Sequence, residues 1–187
     1  MSRMPDRQPD AVDAFYAAWS RERPDLDLEA FPIIGRLSRF ADLVQDKLDA
    51  VFAEHDLQSW EFDVLAALRR AGEPYELTPG ELDRALLISS GTTTHRVQRL
   101  EQRGYVTRRR DEADRRVVRV RLTDAGREVQ ASAHAAHAAN ETRILAGLAP
   151  GERDALLGGL MALGRELGDV APGTAPADAT GMPGPTM

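Results

Sequence analysis

Apolar residues recur every three or four positions through several long stretches of the chain, which is the period of one face of an α-helix. The longest stretch covers about residues 32–54, where the apolar positions are Ile33, Leu37, Phe40, Val44, Leu48 and Val51. The same period predicts long helices over 123–145 and 150–167. It also predicts a short helix over 10–21, with an apolar face formed by Val12, Phe15, Tyr16 and Trp19.

Capping signals predict two helices in the middle of the chain. One covers about 59–70 and has Ser59 as its N-cap. The next begins within the sequence LTPGE, in which Thr78 is the N-cap, Pro79 suits the first helical position and Glu81 completes a capping box. This second helix ends near Leu86, because the residues ISSG that follow have the composition of a turn.

A polar helix follows this turn and continues to about Arg103. Either Ser89 or Ser90 can act as its N-cap, and Gly104 is a typical residue just past a helix end. The pattern then changes to the alternation of strands, over 105–107 and 117–122. The predicted fold is therefore mainly α with a small β-hairpin wing, a winged helix-turn-helix.

The segment RRRDEADRR, residues 108–116, is predicted to be the loop of this hairpin, and it is rich in arginine. The chain has a net charge of -6. From Arg96 to Arg127, however, eleven arginines and five acids give a net charge of +6, which leaves -12 for the remainder. Such asymmetry indicates a surface that faces a polyanion on an otherwise acidic protein. The alternative is a solvated surface held together by ion pairs.

Several classes of function are not indicated by the sequence. There is no cysteine, and no nucleophile elbow, phosphate-binding loop or dinucleotide fingerprint, so we expect neither an enzyme nor a cofactor. His134 and His137 have a spacing that can hold a metal, but no cysteine or further ligand accompanies them, and no metal site is expected. Without an apolar run of membrane length or a secretory signal at the N-terminus, a cytoplasmic protein is expected.

The polar helix after the turn is suited to the major groove of DNA, where hydroxyls bind phosphates and arginine pairs with guanine. Arg96 and Arg99 share one face because they are three residues apart. The alternative is that the serines only cap the helix and the threonines are solvated. The predicted DNA-binding residues of this helix are Ser89, Ser90, Thr92, Thr93, Thr94, His95, Arg96 and Arg99.

The segment from LTPGELDR to LTDAGR resembles the DNA-binding core of the MarR family of bacterial transcriptional regulators. The likeness is strongest at RLEQRG, at the D-R-R of the wing and at LTDAGR, and it extends over about 31–168. The resemblance implies a homodimer in which the helix of residues 89–103 lies in the major groove. It further implies that wing residues meet the minor groove or its phosphates, with Asp114 orienting Arg116. The predicted wing residues are Arg110, Asp114, Arg115 and Arg116.

The resemblance also divides the chain. Residues 1–30 form an N-terminal extension with a short helix, and 31–170 form the winged helix-turn-helix domain, with a DNA-binding lobe over 59–122. The helices over 10–21, 32–54, 123–145 and 150–167 are expected to dimerise, since their apolar faces exceed what a small winged module needs; the alternative is that they pack within one chain. Residues 171–187 are rich in proline and glycine, which predicts a disordered tail.

The N-terminal extension resembles that of a urate-responsive subgroup, whose effector pocket contains a tryptophan, an aspartate, an arginine and a histidine. By motif position Trp19, Asp63 and Arg96 match the first three. The histidine has no counterpart, because Ala41 or a neighbour such as Ser38 stands in its place. The alternatives are that Trp19 packs in a core and that Asp63 is a structural acid that holds Arg96 or another arginine.

Taken together, these features predict a sequence-specific DNA-binding regulator, a repressor that binds a pseudopalindromic operator as a homodimer. A small anionic or aromatic effector is expected to release it. The alternative function is a winged-helix module that binds another protein and not DNA, in keeping with the acidic composition.

Overall fold

The computed structural model describes residues 8–111 and 113–169. The predicted tail over 171–187 and the first seven residues lie outside this range. The described elements are α1 (Ala11–Glu22), α2 (Phe31–Glu54), α3 (Ser59–Arg70), β1 (Glu76–Leu77), α4 (Pro79–Leu86), α5 (Ser90–Gln102), β2 (Val106–Arg110), β3 (Val118–Leu122), α6 (Asp124–Ile144) and α7 (Pro150–Glu166). Each predicted helix is confirmed to within about one residue at its ends.

The chain divides into two compact units, one up to Glu141 and one from Thr142. The first unit holds the main core, which lies around α3 in the lobe predicted over 59–122. The side chains at the centre of this core are buried completely or nearly so, and they come from α3, α4, α5 and the sheet: Val64, Leu65, Leu68, Leu82, Leu100, Val106 and Val120. Close packing of these aliphatic residues fixes the helix-turn-helix against the wing.

The end of α2 and the middle of α6 join this core through aromatic contacts. Phe52 of α2 stacks on Phe62 of α3, with ring centroids 4.5 Å apart. His137 of α6 lies 5.2 Å from the ring of Phe52 and 5.4 Å from that of Phe62. Asn140 is also buried, and its side-chain amide donates to the carbonyl of Lys47, 3.1 Å away.

A charged clamp attaches α1 to the first half of α2. Asp10 caps α1 by accepting from two backbone amides of its first turn. Arg36 of α2 donates to both carboxylates of this capping box, at 2.8 Å to Asp10 and 2.6 Å to Asp13. Gly35 permits this close approach, because a Cβ at that position would lie 3.1 Å from Val12.

The sheet of the wing has the strand order β1-β3-β2, and both pairings are antiparallel. The prediction that residues 108–116 form a loop is wrong for Arg108, Arg109 and Arg110, which pair as part of β2 with the residues from Val118 to Val120. Strand β1 was not predicted, because two residues are too few to show alternation. The predicted N-cap Ser59 is also corrected, since Gln58 occupies that position and Ser59 is the first helical residue.

The junction between the wing and α6 leaves no room for a side chain at Gly126, because a Cβ there would overlap the carbonyl oxygen of Tyr105. Thr123 bridges the same junction. Its hydroxyl donates to the carbonyl of Gly104 at 2.7 Å and accepts from the amide of Gly126 at 2.9 Å. The LTDAGR segment therefore fixes the direction in which α6 leaves the lobe.

The second unit contains the end of α6 and α7. Every residue of α7 lies in the described part of the chain, and none of them is buried. Among residues 8–111 and 113–169, no helix has both the length and the apolar character that crossing a bilayer requires.

Candidate nucleic-acid interface

The recognition helix α5 begins with local hydrogen bonds made by its own hydroxyls. Ser89, and not Ser90, is the N-cap, and its oxygen accepts from the amide of Thr92 at 3.4 Å. The Ser89 and Thr92 hydroxyls are 2.9 Å apart, and Thr94 donates to the carbonyl of Ser90 at 2.9 Å. All four residues remain exposed, so capping does not remove them from the surface.

One side of α5 belongs to the core of the lobe and not to the DNA-facing surface. Thr93, Val97 and Leu100 are buried on this side, at the spacing of one helical stripe. The prediction that Thr93 contacts DNA is therefore wrong, because its side chain is 0% exposed. Its hydroxyl is small enough to pack among aliphatic neighbours, which a residue pattern alone does not reveal.

The opposite side of α5 is an exposed polar stripe. It consists of His95, Gln98, Arg99 and Gln102, which follow one another at i, i+3, i+4 and i+7. The two glutamines were not among the predicted site residues. They could have been identified from the sequence, because they lie on the side of the helix opposite the apolar residues Val97 and Leu100. A glutamine can pair with adenine in the major groove.

The C-terminal end of α5 is held by a buried carboxylate. Glu61 of α3 is 1% exposed, and Arg103 donates to it at 2.7 Å. The same guanidinium donates to the backbone carbonyl and the carboxylate of Asp56, at 2.6 and 2.7 Å. Burial lowers the pKa of Arg103, but the hydrogen bond and charge of Glu61 outweigh this effect and leave the pKa above its usual value. The recognition helix is thus fixed to both α3 and the α2–α3 turn.

Three arginines of the wing are neutralised within the protein. Arg108 donates to Glu101 of α5 at 2.8 Å, and Arg109 donates to Glu76 of β1 at 2.8 Å. Arg119 of β3 forms an ion pair with Asp111. These contacts attach the hairpin to α5 and to β1. They also place a carboxylate beside each of these three positive charges, which offsets part of the local basic charge.

Asp111 organises the tip of the wing. Its carboxylate accepts from Arg119 and from the backbone amides of Ala113 and Asp114, at 2.9 and 3.1 Å for the two amides. The hydrogen bond from Arg119, together with these amides, lowers the pKa of Asp111 from 3.8 to about 2. A lowered pKa means that the contribution to stability is present above pH 3.8 and is lost as the pH falls through about 2. The Asp111 carboxyl is therefore ionised at neutral pH, the state in which it accepts these hydrogen bonds.

Three arginines near the tip of the wing project into solvent. The carboxylate of Asp114 accepts from the Arg116 amide at 3.0 Å and lies 3.4 Å from its guanidinium, although the Arg116 side chain is 94% exposed. Arg110 and Arg115 are also exposed. Arg110, Arg115 and Arg116 are thus exposed next to Asp111 and Asp114, an arrangement that suits contact with phosphates.

Two of the three predicted effector residues lie close together, on neighbouring faces of α3 and α5. Desolvation raises the pKa of Asp63 above its usual value, and the positive charges of Arg96, Arg70 and His137 offset part of this increase. No hydrogen bond or ion pair joins Asp63 to Arg96 in the described structure, so their interaction is through space. Trp19 is on α1, where it is 48% exposed and is not part of a core.

Sequence reasoning also missed Trp60, one helical turn before Asp63 on α3. The guanidinium carbons of Arg96 and Arg99 lie 5.5 and 5.3 Å from the centroid of its ring. The indole N–H donates to the side chain of Gln58. The signal that could have found Trp60 is its spacing, since residues three apart on α3 share a face.

The two histidines of α6 serve as packing residues. His134 lies 6.0 Å from the ring of Phe62, and Nε2 of His137 lies 3.2 Å from Glu141. The described residues contain no group of three or more histidine, aspartate or glutamate side chains that could hold a metal ion.

A polar helix and a basic wing on a helix-turn-helix form the architecture of a DNA-binding protein. The chain matches the MarR family over residues 55–117. It is 43% identical over 143 residues to the HTH-type transcriptional regulator PecS of Dickeya dadantii, which covers 75% of this chain and 86% of PecS. It is 31% identical over 102 residues to the multiple antibiotic resistance protein MarR of Escherichia coli, covering 52% and 69% of the two chains.

Solved structures agree with these sequence comparisons. A mutant MarR from E. coli complexed with operator DNA has a TM-score of 0.62 and 26% identity, covering 74% of this chain and 99% of that one. BpsR of Bordetella bronchiseptica, solved in work on the regulation of its DNA binding by 6-hydroxynicotinic acid, has a TM-score of 0.61 and 26% identity, covering 74% and 94%. The chain belongs to the MarR family. It is a DNA-binding transcriptional regulator and not an enzyme.

The role of Asp111 can be tested with Asp111→Asn. By charge alone, the removal of a carboxylate from a basic surface would strengthen DNA binding. Because Asp111 holds the tip in shape, we expect instead that the dissociation constant for duplex DNA rises by about threefold to tenfold. Fluorescence anisotropy with a labelled duplex measures this change.

The matched control is Asp124→Asn, which removes the same charge outside the wing and whose carboxylate is 85% exposed. If Asp111→Asn binds DNA as tightly as this control or more tightly, Asp111 does not shape the DNA-binding surface.

Proposed function

We propose that this regulator is a repressor that binds a pseudopalindromic operator as a homodimer and is released by a small anionic or aromatic ligand. The observation that carries the proposal is the division of the basic charge. Three wing arginines are neutralised inside the protein, while Arg110, Arg115 and Arg116 project beside an exposed polar helix face. The acidic remainder of the chain repels DNA and so favours approach to this one surface.

In the proposed complex, α5 lies in the major groove with its exposed stripe toward the base edges. Arg99 has the chemistry to pair with guanine, and Gln98 has the chemistry to pair with adenine. The three projecting wing arginines contact the phosphates or the minor groove beside them. A relative at 26% identity has been solved with operator DNA, which supports the binding of duplex DNA by this fold.

Exposed apolar faces support the homodimer. Along α2, whose residues are all described, only Val51 and Phe52 are buried, while Ile33, Ile34 and Phe40 are between 46% and 66% exposed. On α7, a second exposed face consists of Leu156, Leu157, Leu160 and Met161. Apolar patches of this kind mark interaction surfaces. Pairing with a second copy would bury them and would place two recognition helices about one turn of DNA apart.

The Asp63–Arg96 pair supports release by an anion. A ligand carboxylate or enolate that binds Arg96 competes with the through-space attraction between Arg96 and Asp63 and so displaces α5. The cost is that Asp63 loses a favourable charge. Its raised pKa reduces this cost, because the carboxyl takes up a proton more readily than an ordinary aspartate. When the operator overlaps a promoter, release of the protein restores transcription.

The wing assignment predicts a change in salt dependence. In the variant Arg115→Ala/Arg116→Ala, binding to all duplex sequences should weaken. The slope of log K against log salt concentration should become shallower by about 1 for each phosphate that the variant no longer neutralises, because fewer counterions are released. Anisotropy titrations at several salt concentrations measure the slope. The control Arg21→Ala/Arg39→Ala removes equal charge outside the lobe, and a slope that matches this control would rule out the wing contact.

The dimer assignment predicts a particle of twice the chain mass of 20.5 kDa. Sedimentation velocity should give this mass for the unmodified protein. The variant Leu156→Glu/Leu160→Glu should shift the population to monomer, because it places two charges on the exposed apolar face of α7. Leu87→Glu is a control, since that leucine is 90% exposed and lies in the lobe. Disruption of the dimer in the control alone, or in neither variant, would contradict the assignment.

The effector assignment predicts that salicylate, urate or 6-hydroxynicotinic acid raises the melting temperature of the protein. In Arg96→Ala the increase should vanish, whereas Arg99→Ala should retain it. Anion binding should also tighten as the pH falls, since protonation of Asp63 removes a repulsive charge, and Asp63→Asn should flatten this dependence. A ligand-induced shift that survives in Arg96→Ala would place the ligand elsewhere.

A further inference from the structure

Trp60 holds a position that the DNA-binding role assigned above does not explain. It lies in the first turn of α3 and is therefore not one of the residues of the exposed stripe on α5. Its indole N–H is already satisfied by Gln58, so the orientation of the ring is fixed from its own helix. The side chain is half-buried, and it presents its ring to two arginines of the neighbouring helix.

Both arginines on this flank of α5 place their guanidinium groups over the indole ring of Trp60. Their guanidinium carbons are 5.5 Å (Arg96) and 5.3 Å (Arg99) from its centroid, within the range of a cation–π interaction, and tryptophan is the strongest aromatic partner for a cation. An arginine side chain has many rotamers of similar energy, so a free one sweeps a wide arc. One ring therefore restricts two side chains that would otherwise move independently.

We propose that Trp60 is a positioning residue for DNA recognition, which aims the guanidinium groups of Arg96 and Arg99. This rests on the reading role proposed above for Arg99 and on the DNA contact that the sequence predicts for Arg96. A bidentate contact with guanine requires the guanidinium to meet the base edge in one plane. A contact with a phosphate tolerates many directions. Trp60 thus affects the preference for one sequence over another more than the strength of binding to DNA in general.

The test compares Trp60→Leu and Trp60→Phe with the unmodified full chain. The specific duplex is the one recovered by selection from a random-sequence pool, and the competitor is a scrambled duplex of equal length. In Trp60→Leu the ratio of the two dissociation constants should fall by about fivefold to tenfold, with the salt slope unchanged. Trp60→Phe should recover part of the ratio, because phenylalanine retains a ring face.

Tyr75→Leu is the matched control. The guanidinium carbons of Arg69 and Arg127 lie 4.6 and 5.8 Å from the centroid of the Tyr75 ring, and neither arginine belongs to α5. This variant should leave the ratio unchanged. Melting temperatures of all variants identify any that fail to fold. A Trp60→Leu protein that keeps the full ratio, or one that loses it no more than Tyr75→Leu does, overturns the proposal.

A mutant cycle separates this inference from the reading role on which it rests. In the background Arg96→Ala/Arg99→Ala, Trp60→Leu should cause no further change in the ratio, because its two partners are gone. A further change of the same size would show that Trp60 acts by another route. If Arg96→Ala/Arg99→Ala itself leaves the ratio intact, the reading role fails and the positioning role fails with it. If that variant lowers the ratio and Trp60→Leu does not, only the role of Trp60 is refuted.

Discussion

The arrangement of the DNA-binding surface depends on one buried carboxylate, that of Glu61. A charge removed from water is costly unless it is paired, and breaking such a pair typically costs about 3–5 kcal/mol. Arg103 provides the pairing, and it ends the recognition helix. Because the same guanidinium also binds Asp56, the end of α5 cannot move without disturbing the start of α3 and the turn after α2. The direction of the recognition helix is therefore set from inside the lobe.

This anchor gives the two flanks of α5 different roles. On one side Glu101 receives Arg108 from β2, which joins the helix to the wing. On the other side Trp60 and Asp63 of α3 face Arg96 and Arg99. In the proposed release, a ligand that draws Arg96 away would act on this second flank, while the wing stays attached to the first. A displacement of the helix would then carry the wing with it, so that both DNA contacts respond together.

Much of the fold follows from local rules. The capping box of Thr78 and Glu81 is present as predicted, with the Glu81 carboxylate accepting from the Thr78 amide at 2.7 Å. The residues of such a capping box are only three positions apart, so the box can be recognised from the sequence alone. Strand β1 escapes prediction for the opposite reason, since its two residues are strands only because β3 pairs with them.

The candidate site was less accessible to prediction, because it depends on contacts between distant residues. Thr93 was included among the DNA-facing residues since it is polar, yet its face of the helix is the buried one. Trp60 was missed because its partners are more than 35 positions away in the sequence. The charge pattern indicated a basic surface correctly in outline. It could not show which arginines are consumed by pairing with Glu76, Glu101 and Asp111.

The acids in the wing explain how a surface so rich in arginine can be selective. Many free arginines on a flexible loop would bind any polyanion, because contacts to phosphate carry no sequence information. Pairing three of them with carboxylates of the protein lowers this general attraction and also restrains the backbone of the hairpin from which Arg110, Arg115 and Arg116 project. A fixed wing ties the register of the phosphate contacts to that of α5. The preference for one DNA sequence over another would then come from the few side chains that reach the bases. A guanidinium that is misplaced there loses its hydrogen bonds to the base and gains no others.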